Sequence, residues 1–196
     1  MYQPAEDSLL LERHSEKLAK GSVLDMGTGI GIQALAAAKN NKVSKVLAAD
    51  IDKEAVAYCK RNLKNNKIKI IKSDLFSDIS GKFDTIIFNP PYLPEEKDIK
   101  TKKSSKDFRV SKTEDRFGIK DAALYGGEDG IEIIERFFLQ AKKYLGKNGI
   151  ILMVFSSITG KTKVNDIIKN SGFKFKEIGR QHIFFEDLYV YAIKER

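Results

Sequence analysis

The sequence predicts an α/β fold: a mostly parallel sheet carries helices on both faces and ends in an antiparallel C-terminal hairpin. Three observations predict it. Apolar strand-like runs alternate with helical ones from the N-terminus to Phe88, the pattern of parallel βαβ units. The glycine-rich stretch Asp25-Met26-Gly27-Thr28-Gly29-Ile30-Gly31 joins the first strand directly to a helix. Phe173 to Ile178 and Leu188 to Ile193 are strand-like and separated by a short loop. That loop is too short for a crossover helix, so the two pair antiparallel.

Taken in order, Glu6 to Leu18 carries a helical pattern that Gly21 ends, within an N-terminal helical segment of about residues 1–20. Ser22 to Met26 is a short buried strand, and Ile32 to Ala38 is an alanine-rich helix. Lys45 to Asp50 is a second strand closed by its aspartate. Lys53 to Asn65 is an amphipathic helix ended by Asn65-Asn66. Ile68 to Ile71 is a third strand with Asp74 beyond it, and Phe83 to Phe88 a fourth that runs into Asn89-Pro90-Pro91-Tyr92. The crossovers should be right-handed. Farther on, Ile131, Ile134, Phe138, Ala141 and Leu145 share one helical face. Gly146 and Gly149 bracket a turn into the unbroken apolar strand Ile150 to Phe155, and Val164 to Lys169 is helical. Between these halves lies a stretch of about residues 93–125, rich in lysine and arginine, with no assignable element. Long loops in compact domains are usually functional or disordered.

The 196 residues suit one domain with one large core, taken as residues 1–196. No apolar run reaches the roughly 18 residues that span a bilayer. The first residues carry acids where a secretory leader carries bases. The expectation is a cytoplasmic protein without membrane contact. Cys59 is the one cysteine, so no internal disulfide can form. It shares a helical pattern with Val56 and Leu63 and reads as a small buried residue. With only His14 and His182 beside it, no metal-ligand cluster is expected. The net charge of +8 favours acidic partners such as RNA, DNA or a ribosome-associated protein, or else reflects a lysine-rich solvated surface.

The chemistry begins at the glycine loop. Its glycines let the backbone turn tightly and approach a ligand, while the next helix presents free N–H groups and a positive dipole end. A dinucleotide fingerprint would place a third glycine where Ile32 stands, which counts against NAD. Asp50 ends the next strand, where ligands bind in open α/β sheets, and can accept from both hydroxyls of a ribose. NAD and S-adenosylmethionine both carry one. Asp52 competes for this role but also reads as a helix N-cap. Asp74 can accept from an adenine amino group, or serve as a cap or turn residue.

Asn89-Pro90-Pro91-Tyr92 decides among these. An amide or exocyclic amine is a poor nucleophile because its lone pair is delocalised. Attack on a methyl sulfonium requires that lone pair to point along the S–CH3 axis. Two fixed acceptors aimed at the N–H bonds favour this. The Asn89 side-chain oxygen and the Pro90 carbonyl are the candidates. Pro91 restricts Pro90 to an extended conformation and so fixes its carbonyl. Tyr92 offers a flat face to a planar substrate. No strong base is required, which is consistent with a site lacking histidine and cysteine.

Asn-Pro-Pro-Tyr after a fourth strand resembles the amino-methyltransferases that modify glutamine amides or nucleobase amines. Tyr2-Gln3-Pro4-Ala5-Glu6-Asp7-Ser8 is similar to the signature of the HemK-like release factor glutamine methyltransferases in their short archaeal and eukaryotic form. Ala123 to Gly130 and the helix after it also resemble that form. The resemblance implies a Rossmann-like class I methyltransferase with a seven-stranded sheet. It implies S-adenosyl-L-methionine as cofactor, S-adenosyl-L-homocysteine as product, and methylation of the glutamine in the Gly-Gly-Gln loop of a class-1 peptide chain release factor. On that pattern Asp25, Gly27 and Gly29 contact the methionine part, Asp50 the ribose and Asp74 the adenine, with Thr28, Ile51, Leu75 and Asn89 also binding the cofactor. Glu6, Asp7 and Ser8 close over the cofactor. Asn89, Pro90 and Tyr92 hold the amide, with Pro91 beside them. A small zinc-binding activator subunit is a further implied partner.

The basic stretch after Leu93 is longer than that resemblance leads one to expect. Lys102 and Lys103 within it are candidate substrate contacts, either clamping RNA beside the release factor or ordering on the substrate. Other functions compete. One is a nucleic-acid N-methyltransferase acting on adenine or cytosine, which would need its base extruded. Another is a basic nucleic-acid-binding module with a degenerate cofactor fold, marked by strongly salt-dependent RNA binding.

Overall fold

The computed structural model describes residues 5–92 and 130–196. In chain order its elements are α1 (Glu6–Leu18), β1 (Gly21–Met26), α2 (Ile32–Lys39), β2 (Val43–Asp50), α3 (Lys53–Asn62), β3 (Ile68–Lys72), β4 (Phe83–Phe88), α4 (Glu132–Tyr144), β5 (Leu145–Ser156), a 3-10 turn (Ser157–Thr159), α5 (Lys161–Asn170), β6 (Phe173–Ile183) and β7 (Glu186–Glu195). The strands form one sheet in the order β3-β2-β1-β4-β5-β7-β6. Neighbours from β3 to β5 pair parallel, and β7 pairs antiparallel with both β5 and β6. The predicted hairpin is therefore present, with its second strand inserted beside β5 and its first strand at the edge. Strand order reverses between β1 and β4, the switch point at which such sheets bind ligands.

Alternate residues of each central strand serve opposite faces, as the pleat requires. Leu24, Ile86, Met153 and Phe155 join one core with Phe137 and Phe138 of α4 and Val164 and Ile168 of α5. Val23, Ile87, Leu152 and Val154 join the other with Leu10 and Leu11 of α1 and Ala34 and Ala37 of α2. In the first core Phe137 stacks on Phe88 at 4.3 Å between ring centroids and lies 5.2 Å from Phe76. Truncating such a ring costs about 3–5 kcal/mol. Because Phe88 immediately precedes Asn89, this aromatic cluster also sets where β4 delivers the catalytic candidate.

Three expectations shift at their boundaries. The third helix ends at Asn62 rather than Asn65. Leu63 leaves the helix in an extended conformation and packs over Gly31, where any Cβ would come within 2.3 Å of its Cδ1. The turn between Gly146 and Gly149 lies inside β5: Leu145 already pairs with Phe83, and Asn148 (φ 65°) forms the irregularity before Ile150 pairs with Thr85. The final strands run longer than predicted and leave only Phe184 and Phe185 between them.

Candidate active site

Parallel register places the ends of β1, β2 and β4 at one level: Met26 pairs with Ala49 and with Phe88. The loop after β1 passes through left-handed conformations at Gly27 (φ 68°), Gly29 (φ 55°) and Gly31 (φ 88°), where a side chain is strained. A Cβ at Gly29 would meet nothing within 4 Å, and one at Gly27 only the Asn89 carbonyl at 3.9 Å. The space above the loop is open. Two carboxylates hold its shape. Asp50 Oδ2 accepts from the Gly29 amide at 2.8 Å, and Oδ1 accepts from the Asp52 amide at 2.9 Å. Asp25 Oδ2 accepts from Thr28 Oγ1 at 2.6 Å and from the Ala34 amide at 3.0 Å. Asp52 caps α3 by accepting from the Glu54 amide, as its N-cap reading expects.

These acids lie in a costly environment. Asp25 is 1% exposed. Burial pushes its carboxyl up to about 7 against the bonds from Thr28 and Ala34, and nearby Asp50 adds to the rise. Burial also raises Asp50, opposed by its backbone bonds. Among the described residues neither acid forms an ion pair. Cys59 is buried as expected. Its thiol donates to the Gly29 carbonyl at 3.2 Å, and burial plus the charges of Asp25 and Asp50 raise it to about 11, so it stays protonated.

The other half of the site is built around Asn89. Its Nδ2 donates to Asp7 Oδ2 at 3.1 Å and to Ser8 Oγ at 3.2 Å. An ionised carboxylate only accepts, so Asp7 fixes which end of the amide faces it. The opposite end, Asn89 Oδ1, is buried without a hydrogen-bond partner among the described residues. Such a group costs about 1–3 kcal/mol and calls for an explanation. Tyr92 Oη donates to the same Asp7 Oδ2 at 3.0 Å, and its carbonyl accepts from Thr159 Oγ1 at 3.1 Å. The loop Asn89–Tyr92 is thus tied to α1 on one side and to the 3-10 turn after β5 on the other. Gln33 anchors α1 in turn, donating to the Ser8 carbonyl at 2.8 Å and accepting from Ser15 Oγ at 3.0 Å.

Of the remaining candidates, Glu6 is exposed on the first turn of α1, while Asp7 and Ser8 are buried against Asn89. Ile51 stands 60% exposed beside Asp50. Asp74 is paired with Arg136 Nη2 of α4 at 2.9 Å. Leu75 is a buried non-glycine residue at φ 46°, its carbonyl held by Ser73 Oγ at 2.7 Å; backbone outliers of this kind gather at functional sites. Lys102 and Lys103, the basic stretch, Tyr2 to Pro4 and Ala123 lie outside the described residues. Sequence reasoning missed Gln33, Thr159 and Arg136. Only Gln33 left a signal, a lone amide in an alanine-rich helix whose other residues before Lys39 are all apolar.

The methyltransferase small domain family matches residues 6–108. A Methanocaldococcus jannaschii protein, provisionally named a protein N5-glutamine methyltransferase, is 38% identical over 97% of this chain and 89% of its own. The chain belongs to the methyltransferase small domain family. Within this methyltransferase group, the release factor glutamine methyltransferase of Streptococcus pneumoniae is 40% identical over 67% of the chain. The match covers 44% of that bacterial relative's own length. Among solved structures, the E. cuniculi Mtq2–Trm112 complex, described as responsible for methylation of the eRF1 translation termination factor, aligns with TM-score 0.72 at 21% identity, covering 100% of this chain and 98% of that one. A ribosomal protein L11 methylase of Lactobacillus delbrueckii aligns with TM-score 0.66 at 19% identity, covering 99% and 81%. At these identities the likeness carries the fold, which is the predicted Rossmann-like class I arrangement. No helix among the described residues is long and apolar enough to cross a membrane.

Proposed function

We propose that this methyltransferase uses S-adenosylmethionine to methylate the side-chain amide nitrogen of the glutamine in the Gly-Gly-Gln loop of a class-1 release factor. The observation that carries the reading is Asn89 Oδ1, a buried acceptor at the end of β4 with no partner among the described residues. The residues present fit the cofactor. Open space lies above Gly27 and Gly29. The unpaired acids Asp25 and Asp50 suit a ligand bearing an ammonium and a sulfonium. Both Asp50 oxygens retain a lone pair for ribose hydroxyls. Ile51 offers an apolar face, while Asp74 would share its oxygens between Arg136 and the adenine amino group. The names carried by the M. jannaschii and S. pneumoniae relatives point to glutamine as acceptor.

S-adenosylmethionine, when bound, supplies the electrophilic methyl group. This chain's residues prepare the nitrogen. Asn89 Oδ1 accepts one amide hydrogen and the Pro90 carbonyl the other, which orients the lone pair and stabilises the positive charge that develops as the methyl group leaves sulfur; the methylated nitrogen, made acidic by that charge, then releases one of these hydrogens as a proton to water. Asp7 keeps Asn89 in the accepting orientation and holds the Tyr92 hydroxyl, so that the Tyr92 ring stands beside the planar acceptor. The Asp7 oxygen already serves Asn89 and Tyr92, so its role is orientation. A second, small subunit belongs to the same reading, its presence supported by the two-protein E. cuniculi assembly, and so does cytoplasmic action. The test is methyl incorporation from labelled cofactor into recombinant release factor and, separately, into total RNA. Label in the release factor that is lost on changing its acceptor glutamine supports the reading. Label in RNA alone overturns it.

A further inference from the structure

The β6–β7 hairpin ends in a two-residue turn, Phe184-Phe185, between the paired residues Ile183 and Glu186. A two-residue turn with positive φ at its first position alone favours glycine there. Here Phe184 adopts φ 40°, strained for a bulky side chain. Both rings face solvent, Phe184 at 90% and Phe185 fully exposed. Two aromatic side chains are left in water on a strained turn, and none of the described residues packs over them.

The tip stands on the catalytic edge of the sheet. Strand β6 runs in the same sense as β5, since both pair antiparallel with β7. Its C-terminal end therefore rises on the same edge of the sheet as the loop Asn89–Tyr92, three strands away from β4. A continuous set of bonds joins the two. Thr159 donates to the Tyr92 carbonyl at 3.1 Å, Ser157 Oγ accepts from the Asp187 amide at 3.0 Å, and Ser156 bonds Glu186. Ile158, in the same 3-10 turn, is 50% exposed. From strand spacing and rise, the tip lies about 20 Å from Asn89. A standard protein interface buries about 800 Å² per partner, a patch about 30 Å across, so one footprint covers both.

We propose that Phe184 and Phe185, with Ile158 between them and the catalytic loop, dock an apolar surface of the methyl-accepting protein beside its glutamine loop. This rests on the acceptor being a protein, as argued above. A protein surface fits better than RNA because, among the described residues, Arg180 and Lys161 beside the hairpin are already engaged. Arg180 bonds Asp187 at 2.8 Å and Lys161 bonds Glu177 at 2.7 Å, whereas RNA would call for cations free to meet phosphates. Exposed aromatics at the centre of an interface are the side chains that dominate protein docking.

The test is the double variant Phe184→Gly/Phe185→Asn, which places glycine at the positive-φ position and so should fold at least as well as the parent. With whole release factor as acceptor, the KM is expected to rise about tenfold or more, with kcat and the dissociation constant for S-adenosylhomocysteine unchanged. An unchanged KM overturns the proposal. So does a parent that is dimeric by sedimentation and becomes monomeric in the variant without a change in KM, or a variant that loses only RNA retention. If the parent methylates RNA and no protein, the acceptor assignment falls and this one with it. A parent active on release factor beside a variant of unchanged KM removes the docking surface alone.

Discussion

The two halves of the sheet edge are fastened differently. On the side proposed for the cofactor, beyond β1 and β2, the holding bonds are shorter in sequence: Thr28 to Asp25, Ala34 to Asp25, Asp52 to Asp50 and Gly29 to Asp50. On the acceptor side, beyond β4, they are long: Asn89 reaches back to Asp7 and Ser8, Tyr92 to Asp7, and Thr159 returns to Tyr92. The first half is one βαβ unit closing on itself. The second assembles only when α1, β4 and the turn after β5 have met. Cofactor binding and methyl transfer should therefore separate in mutants.

The largest separation is expected at Asn89. Removing its acceptor with Asn89→Ala should lower kcat by about two to three orders of magnitude, while S-adenosylhomocysteine affinity measured by calorimetry stays within about threefold. Asp7→Asn is the subtler break. It keeps the shape but loses the acceptor-only carboxylate, so the Asn89 amide is no longer held one way round. A fall in kcat of about one to two orders of magnitude is expected, again with cofactor affinity retained; equal loss of both would place Asp7 in the cofactor half. Asp50→Ala should do the opposite, weakening cofactor binding about ten- to a hundredfold with a smaller change in kcat at saturation.

The smallest effect is one of pH. The folded protein holds a proton on Asp25 up to about 7, which the unfolded chain has already released above about 4. This contribution to stability is thus greatest in acid and is lost as pH rises from about 4 to 7. A cationic ligand beside the same acid favours its ionised form, so cofactor affinity should rise between about pH 6 and 8. Asp25→Asn should flatten both the melting-temperature profile and the affinity profile. Parallel profiles for parent and variant would mean that another group titrates.

The same contrast decides what the sequence reveals. The glycine loop, Asp50 at a strand end and Asn89 before paired prolines are legible because adjacent residues carry the pattern. Asp52 could be separated from Asp50 only in three dimensions, where it caps α3. Gln33, Thr159 and Arg136 acquire their roles through contacts set by packing, and their own neighbourhoods in sequence do not encode those contacts. Helix α3 ends early for the same reason, since Leu63 is drawn off to cover Gly31. The alternation of Leu24 with Val23 and of Ile86 with Ile87 does read through to the two cores, because strand period and burial act together there.

The most direct measurement is tandem mass spectrometry of release factor after incubation with the enzyme and S-adenosylmethionine, alongside the Asn89→Ala variant. One added methyl group on the Gly-Gly-Gln glutamine, present with the parent and absent with the variant, is the expected result. A glutamine left unmodified by an enzyme that binds its cofactor, or one modified equally by Asn89→Ala, would contradict the account.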